Sequence, residues 1–282
     1  MISSCPAGKR RPITLRLVFL TALALVWIFP ILISIYISFK TPDDFMTSHF
    51  MNLPIQNGFM QNLNTAVNTF SLFRQYGNSL LYAAGGTLVC IMVSAMAAYG
   101  CTVVRPKFSF LIFIIIYSGT VFPFQMYLLP LYRTYVATKL YNTQLGMILF
   151  YATICTPFAT FTYRSHFMGM SSEIRESAMI DGCSAWGMFP YIYLPLLKVP
   201  TAVVIVFQAM WIWNDLLFGM VLSQSPNVRP VMVSIFQIAG EGGGNLVVLM
   251  TAVLVTSVPT LALFIGLRKY FIQGTAVGIR TK

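Results

Sequence analysis

The sequence predicts an all-α, polytopic membrane protein with six transmembrane helices. Hydrophobic residues fill 57% of its 282 positions and charged residues 9%, whereas a soluble domain carries about 25% charged residues. The apolar residues also fall into long blocks, and a hydrocarbon core takes about 20 mainly apolar residues per helix. Lys and Arg collect at alternate ends of those blocks. Inside hydrocarbon every backbone polar group must be satisfied within the segment, so such blocks form helices.

The first block, 17–39, follows the basic residues Lys9, Arg10, Arg11 and Arg16. It is longer than the apolar region of about 7–15 residues in a signal peptide, and Lys40-Thr41-Pro42-Asp43-Asp44 succeeds it where small residues would mark a cleavage site. It is therefore expected to be a retained first helix. The further blocks are 78–104, 108–131, 145–163, 199–222 and 246–267. Pro123 should kink or break the third, because proline lacks a donor and clashes one turn back. Irregular backbone at membrane depth has to face protein or a cavity.

Charge sets the expected orientation. With six spans, one side holds Lys9, Arg10, Arg11, Arg16, Arg105, Lys107, Arg164, Arg175, Lys198, Arg268, Lys269, Arg280 and Lys282. The other side holds only Lys40, Arg74, Arg133, Lys139 and Arg229. Positive residues favour the cytoplasmic side, so both termini are expected there. The net charge of +11 is then topological and lipid-facing, and needs no nucleic acid to explain it. The chain reads as one membrane domain over 1–282, without repeats. Cys5, Cys90, Cys101, Cys155 and Cys183 lack paired spacing, and His49 and His166 are far apart. Neither a disulfide framework nor a metal site is expected.

Two connections are long: 40–77, external and rich in Asn, Gln and Thr, and 164–198, internal. Within the second, 171–195 reads as a short helix, a glycine turn and a second short helix. Ser172 is expected to cap the first helix, with Glu173 and Glu176 at its positive end. Ile174, Ala178 and Asp181 fall on one side by spacing. Gly182 suits a left-handed C-terminal cap, and Pro195 the first turn of the next span. Acidic residues disfavour lying on anionic lipid, since interfacial helices are usually Lys/Arg-rich. The loop is expected to dock another protein.

The run Glu176-Ser177-Ala178, then Gly182, then Ile192-Tyr193-Leu194-Pro195 resembles the EAA loop of ABC importer permeases. It keeps every spacing, with serine for the first alanine. Trp213-Asn214-Asp215 resembles the Trp-Asn-acid signature of sugar-type permeases, and 270–278 their aromatic-x-x-Gly-x-x-x-Gly ending. The resemblance to maltose-type, binding-protein-dependent permeases covers nearly the whole chain. It implies a multi-pass subunit of a bacterial or archaeal cytoplasmic membrane, half of a path for a sugar or oligosaccharide. Its partners would be a second homologous permease, two ATPase subunits that bind ATP and Mg, and an external solute-binding protein. ATPase coupling would fall to Glu173, Glu176, Ser177, Ala178, Asp181, Gly182, Ile192, Leu194 and Pro195, within 172–190 and its exit.

The chain contains no phosphate-binding Gly-x-x-x-x-Gly-Lys-Ser/Thr loop, so it is expected to need no cofactor of its own and to be no enzyme. Asp215 is the one acidic residue placed inside a span, and an ionisable group there is functional by default. A structural hydrogen bond is its other reading. Trp211, Trp213 and Asn214 offer aromatic faces and an amide to a sugar, although Trp equally anchors interfaces. Gly240, Glu241, Gly242, Gly243, Gly244 and Asn245 form a glycine-dense external segment. It is either a contact for the binding protein or a loose connector. The alternative cargoes are a glycerol phosphate or a polyol. The rival of another class, an ion-coupled secondary transporter, would need repeats or broken helices with buried charges and would not account for the Glu-Ser-Ala loop.

Overall fold

The computed structural model describes residues 13–48, 52–104, 107–240 and 246–279, with side chains from 16 to 268 among them. Of the residues singled out above, Cys5, Lys9, Arg10, Arg11, His49, Arg105, Glu241, Gly242, Gly243, Gly244, Asn245, Arg280 and Lys282 lie outside the described residues, as do the side chains of Lys269 and of the 270–278 ending. The described residues contain helices and no strand.

Helix α1 (Ile13–Ser38) carries apolar side chains all round, and positions 16–32 are exposed on every side. A helix of this kind suits hydrocarbon or a partner helix. It rests chiefly on the last long helix through its C-terminal end. Two short helices fill the 40–77 connection. In α2 (Pro42–Thr47) the Thr41 hydroxyl accepts from the Asp44 amide at 3.1 Å and Pro42 opens the first turn. In α3 (Phe59–Phe70) the buried Asn62 carboxamide donates to the carbonyls of Ser38 (3.0 Å) and Lys40 (2.9 Å), tying the connection to the end of α1.

Helix α4 (Leu72–Tyr99) runs on as a π-helical turn, Gly100–Val104. It packs most extensively on α7 (Gln144–Met168), and Gly86 permits the approach. A Cβ there would lie 2.9 Å from Tyr151 Cβ. The third apolar block is not one helix. It forms α5 (Ser109–Ser118), an irregular stretch through Pro123, a 3-10 turn (Phe124–Tyr127) and α6 (Leu128–Ala137). The ten residues of α5 reach only about 15 Å, half of a hydrocarbon core of about 30 Å. The break lies at the proline, as expected.

After α7 come α8 (Glu173–Ile180), a π-helical turn (Phe189–Tyr193), α9 (Leu194–Leu196) and α10 (Lys198–Trp213). The Phe189–Leu196 segment meets α10 at 65°. The fifth block also breaks, at 214–216, before α11 (Leu217–Leu222); α12 (Val231–Gly240) and α13 (Leu246–Ile279) complete the chain. Among the described residues four helices are long and apolar enough to cross a membrane, and five when the bent pair is counted as one span. The third expected span, 108–131, is divided into short helices, with Gly119 and Pro123 in the break.

Candidate functional site

Two regions hold the residues expected to matter. The first is the 171–195 segment. Ser172 is already helical (φ −63°, ψ −24°) and makes no side-chain cap. A cap needs a non-helical backbone, and its place is taken by Ser171, whose hydroxyl accepts from the Glu173 amide at 3.2 Å. Glu173 and Glu176 stand exposed in the first turn, where the amide dipoles favour them. The helix ends as the sequence suggests. Gly182 has φ +78°, its amide donates to the Met179 carbonyl at 3.1 Å, and the Cys183 amide donates to the Ala178 carbonyl at 2.9 Å. This is the Schellman pattern, which satisfies the last carbonyls.

The expected coupling residues divide between two faces. Glu173, Glu176, Ser177, Asp181 and Gly182 are exposed, whereas Ala178 is 6% exposed and sits in the core with Met188 and Tyr193. Ile192 is half-buried against that core, and Leu194 and Pro195 lie exposed at the bend into α10. Ala178 therefore seats the helix. Of the two small residues, Ser177 is open to solvent and Ala178 is not. Sequence reasoning passed over the apolar side chains on the open face: Ile180 is 86% exposed, Trp186 64% and Met179 56%. The signal was present, since apolar residues flanking Asp181-Gly182 in a polar stretch have no buried side to occupy. Beneath the segment lies the wholly buried Tyr99. Its hydroxyl donates to the Ala185 carbonyl, and its ring lies against Phe167, Trp186, Phe189 and Tyr193.

The second region is where the breaks in the third and fifth blocks face each other. A cavity of about 550 Å³ is lined by Phe124, Phe207, Met210, Trp211, Asn214 and the 215–218 turn. An adjoining one of about 430 Å³ lies between the Gly119–Phe124 break, Phe158, Gln208 and Trp211. Trp211 is half-exposed into both. Asn214 is exposed, its amide donating to the Met210 carbonyl at 2.7 Å. Trp213 points elsewhere: it is buried edge-on to Tyr76, and its indole N–H donates to the Thr256 carbonyl at 3.1 Å, tying α10 to α13.

Asp215 is buried at the cavity rim with its carboxylate engaged. Oδ2 accepts from the Tyr151 hydroxyl at 2.9 Å and the Gly219 amide at 3.0 Å, and Oδ1 accepts from the Phe218 amide at 3.4 Å. It holds the first amides of α11 and links that helix to α7. Gly240 is exposed at the end of α12, and the five residues expected beside it lie outside the described ones. Cys90, Cys101 and Cys155 are buried as free thiols. Among the described residues no three His, Cys, Asp or Glu side chains gather as metal ligands.

Comparison with known proteins places these features in context. The chain is 30% identical over 214 residues to a probable starch degradation products transport system permease protein of Thermoanaerobacterium thermosulfurigenes, covering 76% of this chain and 77% of that one. It is 28% identical over 263 residues to an arabinooligosaccharides transport system permease protein of Bacillus subtilis, covering 92% of each. Its fold matches a chain of a bacterial ABC transporter involved in the import of the acidic polysaccharide alginate. That match has a TM-score of 0.81 at 19% identity over 95% of this chain and 100% of the other. No model of a protein family matches the sequence.

Proposed function

Since this chain belongs to the sugar-type permease family of ABC importers, we propose that it forms half of a translocation path for a sugar or oligosaccharide, driven by ATPase subunits that dock on its 172–190 loop. The observation that carries the coupling role is the loop's outward face. A rigidly capped helix seated on the core by Ala178 presents Glu173, Glu176, Ser177 and Ile180, with Trp186 beside it. Exposed aromatic and aliphatic side chains rimmed by charge are the usual anchors of a protein interface. Closure of a partner could shift the permease only through contacts that differ between two states, and the 65° bend after Leu196 leads from the loop straight into α10.

The path in this reading runs through the cavity between the two breaks. Broken helices at membrane depth are tolerated where they line a cavity. Trp211 and Asn214 would meet the sugar, with Asp215 and Trp213 holding the turn behind them. The Ser109–Ala137 segment would be the broken third of six crossings, with both termini cytoplasmic. A second permease, an external solute-binding protein reached by the 240–245 segment, and ATP and Mg held by the ATPases complete the machine.

The test is purification of the tagged permease followed by uptake in vesicles. ATPase subunits should co-purify, and uptake should need ATP and persist when ion gradients are collapsed. Uptake that follows an ion gradient, with no ATPase retained, would overturn the proposal.

A further inference from the structure

We propose that α4 is the strut that joins the ATPase-coupling loop to the opposite end of the permease, with Tyr99 and Tyr82 as its two positioning residues; the inference rests on the coupling role argued above for the loop. Three observations carry it. The first is the contact at the loop end. Tyr99 closes α4, and its ring centroid is 5.1 Å from that of Phe189 and 5.1 Å from that of Tyr193. Its hydroxyl reaches past them to the Ala185 carbonyl. It therefore grips the main chain of the loop and both rings of the lead into α10. With no exposed surface, it cannot meet an ATPase itself.

The second observation is that π-helical turns occur on both sides of that grip, at Gly100–Val104 and at Phe189–Tyr193. Such turns widen the hydrogen-bond ladder locally and are frequent at functional sites. Here they place two yielding points around a fixed contact, so that motion of the loop is handed to α4 and not dissipated at Tyr99.

The third observation is the far end. The Tyr82 hydroxyl donates to the Val228 carbonyl at 2.6 Å. The Asn78 amide donates to the carbonyls of Arg229 (2.9 Å) and Pro226 (3.2 Å), and the Ser79 hydroxyl accepts from the Val231 amide at 2.8 Å. All of these hold main chain, so α4 fixes the path of 226–231 whatever its side chains. Between the ends, Tyr82 also lies 6.0 Å from Tyr151, which holds Asp215. The eighteen residues from Tyr82 to Tyr99 make a rod of roughly 26 Å. Proline interrupts α1 at Pro30, α7 at Pro157 and α13 at Pro259, whereas α4 contains none. Sharp kinks in helices arise mostly at proline, so α4 is the long helix best able to carry a displacement from end to end.

The test uses the complete complex, reconstituted with its ATPases and its solute-binding protein, carrying Tyr99→Phe, Tyr82→Phe or both, with Gly182→Leu as the control for the loop. Each Tyr→Phe variant should retain the ATPases and hydrolyse ATP without the binding protein. Stimulation by the loaded binding protein should fall at least about five-fold, the low end of typical couplings. The double variant should be no worse than the poorer single one, because both remove the same connection. Wild-type stimulation in either single variant, effects that simply multiply, or loss of the ATPases from Tyr99→Phe would overturn the strut. If Gly182→Leu also kept normal ATPase association and transport, the coupling role of the loop would fall first, and the strut with it.

Discussion

Asp215 distinguishes a structural carboxylate from one on the sugar path. Replacing it with Ala removes the acceptor for the buried Tyr151 hydroxyl at 2.9 Å and for the Gly219 amide at 3.0 Å. A buried donor left without a partner costs about 1–3 kcal/mol. Counting these two bonds and leaving out the longer one to Phe218, Asp215→Ala should destabilise the protein by roughly 2–6 kcal/mol. Asp215→Asn, with its carbonyl oxygen in the place of Oδ2, keeps both of those donors and turns its amide toward the Phe218 amide, losing the 3.4 Å bond. The expected loss is about one bond, roughly 1–2 kcal/mol. Thermal unfolding of the purified complex should rank wild type above Asn and Asn above Ala. Uptake per correctly assembled complex should change little in Asp215→Asn, and less than in Gly182→Leu. An Asn variant as stable as wild type, assembled with its ATPases and receptive to its binding protein yet devoid of uptake, would refute the structural account and put the charge on the path.

Further outcomes follow from the same geometry. Gly182→Leu puts a Cβ at φ +78°, a strain of about 1–2 kcal/mol, and should leave the permease inserted while hydrolysis and uptake part company in vesicle assays. Glu176→Lys reverses an exposed charge at a helix N-terminus and should weaken ATPase retention on an affinity column, with high salt narrowing the difference. Ala178→Leu overfills a buried site at a cost of about 1–3 kcal/mol and should loosen the loop, read as faster proteolysis at 171–190. Trp211→Ala should impair uptake with the complex intact, whereas Trp213→Phe, which loses the bond to the Thr256 carbonyl, should lower thermal stability first.

Much of this architecture was legible because membrane helices are written in composition and length. The blocks at 17–39, 78–104, 145–163 and 246–267 correspond to α1, α4, α7 and α13. The Gly182 cap was legible for a local reason, since only glycine enters the left-handed region at little cost. Hydropathy could not give the continuity of the third block, because a broken helix is as apolar as a whole one. Pro123 marked the place but not the extent. The division of the loop into a buried and an open face escaped because helix periodicity gives neighbours, not which side the rest of the fold covers. Ser177 and Ala178 are both small, and only the packed fold separates the open one from the covered one. Trp213 and Trp211 are two residues apart and face a buried carbonyl and a cavity respectively, a distinction that needs α13 and the Gly119–Phe124 break in place. Tyr99 carried no sequence signal, because its importance lies in rings contributed from position 167 to 193.

In the proposed machine the ATPase sits on the 172–190 loop, whose most open apolar side chain is Ile180, at 86% exposure. The direct measurement is crosslinking from a single cysteine, Ile180→Cys, in membranes holding the whole transporter, with maleimide labelling from each side in parallel. Labelling is expected from the cytoplasmic side only, with an adduct between permease and ATPase subunit and protection from labelling when the ATPase is bound. Labelling from outside, or a fully assembled transporter that yields no such adduct and no protection, would contradict this docking.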